Sequence, residues 1–127
     1  MAIKILIVED EILIAEEISY DLESYGFEVL GIALSADECF CEIQKQLPDI
    51  IIMDINIKGA IDGISLGQLI SEKQEIPLIY LTANTDSKHL EAAIKTKPYA
   101  FISKPYNKTD LIAAIELAIQ KHNEKKL

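Results

Sequence analysis

Five short, strand-sized runs rich in apolar residues alternate strictly with longer segments of helical period, and this alternation limits the folds open to the chain. The runs are Ile3–Val8, Phe27–Ala33, Asp49–Met53, Pro77–Leu81 and Tyr99–Ser103. Ile14, Ile18 and Leu22 recur at i, i+4 and i+8, which predicts an amphipathic helix from Glu11 to Tyr25, closed by Gly26 in the left-handed position. Ser35 is placed to cap a second helix running towards Leu47, with Asp37 and Glu38 favouring its dipole and Pro48 stopping it. A loop carrying Gly59 and Gly63 leads to a third helix, Ile64–Lys73. Asp86 or Ser87 opens a fourth that ends before Pro98, and Ile112, Ile115 and Ile119 lay out one face of a fifth.

Five such units imply an α/β fold, a doubly wound, five-stranded parallel sheet flanked by five helices, for which the flavodoxin-like strand order 2-1-3-4-5 is expected. No repeat, linker or composition break divides the chain, so residues 1–127 read as one domain. A hydrophobic content of 50% excludes a disordered segment. The apolar runs are strand-sized, far short of the roughly 20 residues of a membrane span, and no signal-peptide pattern opens the chain, which predicts a cytoplasmic protein. A net charge of −9 argues against direct binding of nucleic acid or an anionic membrane. Cys39 and Cys41 are two apart on a helix and face different ways, so they read as reduced thiols.

In a doubly wound sheet ligands bind at the carboxyl ends of the strands, near the point where strand order reverses. Strand 1 ends in Glu9 and Asp10, with Glu11 opening the helix; strand 3 ends in Asp54, strand 4 in Thr82, and strand 5 in Lys104 before Pro105. Taken singly, each is a helix cap, a turn former or a solvated charge. Together they put carboxylates, a hydroxyl and an ammonium on one sheet edge. Two like charges about 4 Å apart cost about 4 kcal/mol at an effective dielectric near ~20, so the carboxylates call for a counter-charge. Mg²⁺, which binds through one or two carboxylates plus water and phosphate oxygens, suits that need, and Lys104 adds a fixed cation. Phosphoryl transfer asks little else of a protein than positioning and positive charge. Asp54, at the end of the central strand, is the candidate nucleophile.

The segments Ile5-Leu6-Ile7-Val8-Glu9-Asp10-Glu11, Pro48-Asp49-Ile50-Ile51-Ile52-Met53-Asp54, Leu81-Thr82-Ala83 and Phe101-Ile102-Ser103-Lys104-Pro105 resemble the signature segments of response-regulator receiver domains, in the same order and over essentially the whole chain. The resemblance implies the flavodoxin-like receiver fold and a phosphorylation switch. Asp54 would accept phosphate from the phosphohistidine of a sensor histidine kinase or phosphotransfer protein. Glu9, Asp10, Asp54 and the backbone carbonyl of Asn56 would hold Mg²⁺. Thr82 would bind a phosphoryl oxygen, Lys104 would pair with the acyl phosphate, and Phe101 would be the switch aromatic. As partners it implies a second receiver, forming a homodimer through the fourth helix, fifth strand and fifth helix, or an output domain absent from this chain. The chain would then be the N-terminal part of a longer transcriptional regulator, similar to those carrying LytTR- or LuxR-type DNA-binding domains. The domain assists its own phosphorylation and dephosphorylation without being a multiple-turnover enzyme.

Several positions depart from the commoner pattern. The acidic pair is Glu-Asp; the loop Ile55–Gly63 is one residue longer and places Lys58 near the acceptor; and Lys97-Pro98 stiffens the approach to strand 5. Phe101, where many relatives carry Tyr, lacks a hydroxyl and works by packing, as a core aromatic would. His89 reads as a surface histidine, and the tail from Lys121 as a solvated helix end. Other functions remain open on the same fold. A flavodoxin-type carrier needs a phosphate-cradling loop where Glu9-Asp10-Glu11 stand. An aspartyl-phosphate phosphatase needs an acid where Asn56 stands. A stand-alone receiver or a pseudo-receiver would act through its surface alone.

Overall fold

The computed structural model describes residues 2–83 and 87–125, of which 87–89 by backbone alone. Along the chain lie β1 (Lys4–Val8), α1 (Ile12–Tyr25), β2 (Glu28–Ala33), α2 (Ala36–Lys45), β3 (Ile50–Asp54), α3 (Gly63–Lys73), β4 (Leu78–Thr82), α4 (Ser87–Lys95), β5 (Ala100–Ser103) and α5 (Lys108–Lys125). The strands form one sheet in the order β2-β1-β3-β4-β5, every pair parallel, as the alternation required. Asp86 as the opening residue of α4 and the side chain of His89 lie outside the described residues.

The period of two along each strand sorts side chains between two cores. Leu6, Val8, Ile51, Met53, Leu78 and Tyr80 pack with Cys39 of α2, Leu66 and Ile70 of α3 and Ala93 of α4. Ile5, Ile7, Ile50, Ile52, Ile79 and Leu81 pack with Ile18 and Leu22 of α1 and Leu111 and Ile115 of α5. Every residue of β3 is buried. At about 1.5–3 kcal/mol for each fully buried aliphatic side chain, these two layers supply the main driving force for folding.

Element ends follow local chemistry. Gly26 (φ 115°) closes α1 with its N–H on the Glu23 carbonyl and the Phe27 N–H on Leu22, a Schellman arrangement that satisfies two orphan carbonyls. Ser35 caps α2 by accepting from the Glu38 amide at 3.3 Å. Helix α2 stops at Lys45, short of Leu47. Pro48 disfavours helix at the residue before it, and Leu47, 55% exposed, has no core contact to gain. Helix α4 stops at Lys95, where the Thr96 hydroxyl donates to the Ala93 carbonyl and Lys97 turns left-handed (φ 57°) ahead of Pro98. Strand β3 runs one residue beyond the apolar stretch, because Asp54 pairs with Leu81 of β4. The sheet itself therefore holds the carboxylate.

Cys39 is buried and Cys41 exposed, both reduced, as their spacing implied. Burial pushes the Cys39 thiol up to about 12. A water-soluble alkylating reagent at neutral pH is expected to label the native chain once, at Cys41, and the urea-unfolded chain twice. Rapid native labelling of Cys39 would contradict this packing.

Candidate functional site

Glu9 follows the last residue of β1 and is wholly buried. Its amide donates to the Ala33 carbonyl, continuing the ladder to β2, and its Oε1 accepts from the Glu11 amide at 3.1 Å. Asp10 turns outward, and its Oδ2 accepts from the backbone N–H of Lys58 at 2.8 Å. Asp54 is 3% exposed; Oδ1 accepts from the Asn56 amide at 3.0 Å, a local turn typical of aspartate at a strand end. Lys104 reaches in from the end of β5, where its amide is held by the Thr82 carbonyl at 2.9 Å. Its Nζ donates to Asp54 Oδ2 at 2.9 Å, lies 2.9 Å from Glu9 Oε2, and is 3.8 Å from Glu11 Oε1.

These contacts set the electrostatics. Burial raises the Glu9 carboxyl above the ordinary range, outweighing the Lys104 ammonium and the Glu11 amide. Burial by itself would lower Lys104, but Glu9 and Asp54 overcome it, and the ammonium is held above its usual value. The approach of Nζ to Glu9 Oε2 is a charge contact without hydrogen-bond alignment, so this buried oxygen receives no directed donor. Glu9, Asp10 and Asp54 each offer an oxygen within 4.8 Å of the others. A hard divalent cation fits this all-oxygen donor set and would satisfy the orphaned Oε2.

Glu9, Asp10, Asp54 and Lys104 therefore meet at one point. Thr82 ends the adjacent strand, but its hydroxyl donates to the Ala83 carbonyl at 3.0 Å. Asn56 is exposed and adjoins the cluster through its amide. Phe101 is half-buried, opposite Tyr80 in the β4–β5 register, with ring centroids 5.8 Å apart. The exposed Lys58 adjoins the site by its backbone N–H. Sequence reasoning missed that grip on Asp10, because an amide carries no residue-type signal. It also missed the close approach of Gly63 to Asp54. A Cβ at Gly63 would overlap the Asp54 carbonyl oxygen and lie 2.8 Å from Ile55 Cα. The Asp-Gly dipeptide opening α3 was its only trace.

The model of the response regulator receiver domain family matches residues 5–116. The transcriptional regulatory protein PdtaR of Mycobacterium tuberculosis is 34% identical over 121 residues, which cover 95% of this chain and 58% of that protein. The phosphate regulon transcriptional regulatory protein PhoB of Rhizobium meliloti is 32% identical, over 93% of this chain and 52% of its own. This chain thus spans little more than half the length of these relatives. Among solved structures, the signal receiver domain of a modulated diguanylate cyclase from Desulfovibrio desulfuricans superposes with a TM-score of 0.93 at 30% identity, covering 98% of this chain and 99% of that one. The receiver domain of NtrX from Brucella abortus gives 0.86 at 29% identity, over 91% and 98%. Receivers are signalling domains that work with histidine kinases and output domains and bind Mg²⁺ at an acidic pocket, such as Glu9, Asp10 and Asp54 form here. On sequence, fold and pocket alike, this chain belongs to the response regulator receiver domain family.

Proposed function

We propose that residues 1–127 form one receiver domain that accepts a phosphoryl group on Asp54 and passes its state to an output partner. The observation that carries this reading is the buried Asp54 carboxylate, held between Lys104 Nζ and two further acids on the sheet edge. One Asp54 oxygen forms the new O–P bond as the N–P bond of a donor phosphohistidine breaks. Asp10 and Asp54, with Glu9 and the Asn56 carbonyl, would hold Mg²⁺, which would supply positive charge against the carboxylates and phosphoryl oxygens. Lys104 transfers its ammonium from the carboxylate to a phosphoryl oxygen. The Thr82 hydroxyl leaves the Ala83 carbonyl, rotating about χ1 to donate to another.

Movement of Thr82 frees space beside β5 and lets Phe101 repack, shifting the population of the surface formed by α4, β5 and α5. Leu90 and Ile94 of α4 and Leu117 of α5, between 40% and 54% exposed, give that surface apolar contacts for a second receiver or an output domain. Ile12 and Leu13, exposed where α1 leaves the acidic pair, offer the donor kinase a footing beside the acceptor. The reading places the chain in the cytoplasm, as the N-terminal portion of a longer transcriptional regulator. No helix among the described residues is long and apolar enough to cross a membrane.

The test is intact mass after incubation with acetyl phosphate, with and without Mg²⁺, alongside Asp54→Asn. One added phosphoryl group that requires both Mg²⁺ and Asp54 is the expected result, and size exclusion with beryllofluoride would reveal any association. Failure to take up phosphate or to bind the mimic under every condition would leave a pseudo-receiver.

A further inference from the structure

Lys104 has a flexible four-carbon stem, yet its ammonium donates to Asp54 and sits 2.9 Å from Glu9 Oε2. What fixes its backbone therefore matters. On the strand side, the Lys104 amide is held by the Thr82 carbonyl. On the other side, two residues along, Tyr106 reaches back across the sheet edge and its hydroxyl donates to Asp21 Oδ2 of α1 at 2.5 Å. The ring is half-buried against the α1–α5 core, and the bond links positions 85 residues apart. Burial, with Asp21 and Glu17 one turn away on α1, raises the phenol well above its usual range, so it stays a donor. Beyond Tyr106, Asn107 caps α5 through the Asp110 amide. Tyr106 thus ties the turn that carries Lys104 to α1.

We propose that Tyr106 is a positioning residue for Lys104: its hydroxyl bond to Asp21 fixes the turn after β5 and thereby holds the Lys104 ammonium on Asp54 and Glu9. Tyr106 touches no reacting group. Its role at the phosphoacceptor rests on the reading of Asp54 given above, whereas its hold on Lys104 does not.

The experiment uses trace amine labelling with acetic anhydride, read per lysine by peptide mass spectrometry, on wild type, Tyr106→Phe and Asp21→Ala. Loss of one charge-assisted hydrogen bond is expected to raise Lys104 labelling about tenfold, the low end of what such a bond contributes. Lys45, Lys73 and Lys125 should be unchanged. Acetyl phosphate labelling of the same proteins should slow by a similar factor, with the Mg²⁺ concentration for half-maximal rate unchanged. Unaltered Lys104 labelling in Tyr106→Phe, or a uniform rise at every lysine, would overturn the proposal by showing that the bond only stabilises the fold. If wild type takes no phosphate, the reading of Asp54 fails, and the lysine labelling still judges the role of Tyr106.

Discussion

Lys104→Met is expected to destabilise the protein by about 3 kcal/mol at neutral pH without divalent cations, the low end of the range for breaking one side of a buried ion pair. The low end applies because Lys104 keeps 17% of its side-chain exposure. Methionine preserves most of the stem packing but leaves Glu9 buried with no cation beside it and with Asp54 deprived of the same partner. Glu9 already titrates above its ordinary value of 4.5 because of burial, and loss of the ammonium raises it further. A carboxyl whose folded pKa exceeds its unfolded one binds more protons in the folded state, so stability falls as pH rises between the two. The deficit of Lys104→Met should therefore be small below the unfolded value and complete above the folded one. Mg²⁺ should repay part of it, since a ligand at about 100 times its dissociation constant stabilises by roughly 2.7 kcal/mol. Urea unfolding at acid and neutral pH, with and without Mg²⁺, measures all three effects. A neutral-pH loss under about 0.5 kcal/mol, as for an ordinary surface substitution, would mean that Glu9 is not held as described.

Gly63→Ala is the second large effect, and its cause is space. Gly63 opens α3, and its amide donates to the Ile55 carbonyl at 2.9 Å. An added methyl would overlap the Asp54 carbonyl oxygen and come within 2.8 Å of both Ile55 Cα and Ile55 O, all of them backbone atoms that cannot rotate away. Relief requires the Asp54–Ile55 backbone and the start of α3 to move apart. Overpacking of this kind costs about 1–3 kcal/mol or more, and the rigid neighbours place this site at the upper end. Gly26→Ala is the comparison: its Cβ would meet nothing within 4 Å, so only the left-handed conformation is penalised, by about 1 kcal/mol. The Gly63 variant should also lose phosphoryl uptake more steeply than stability, because the displaced strand end carries the acceptor. Equal melting temperatures for the two variants would contradict the close approach.

The amino-acid sequence by itself determined the parallel sheet and the residues at the strand ends, which follow from local periodicity and from the chirality of parallel connections that a one-dimensional pattern records. The strand order 2-1-3-4-5 is one of two common orders those rules allow, and the resemblance to receivers selected it. It also placed the helix caps at Gly26 and Ser35, where a single residue type satisfies a local backbone need. Element ends were less legible: α2 stops before Leu47 and β3 continues into Asp54, because neighbouring segments settle those limits. Only the tertiary structure decided how the site residues use their atoms. The Lys58 amide on Asp10 and the Tyr106 hydroxyl on Asp21 join residues 48 and 85 apart, so neither contact leaves a local trace. The Thr82 hydroxyl turned to Ala83 is likewise a rotamer choice. The same holds for Glu9, whose place in the sequence suggested a metal ligand and whose folded surroundings make it Lys104's partner as well. Residue types at strand ends follow from topology, whereas the pairing of their charges depends on distances that exist only once the chain has closed around them.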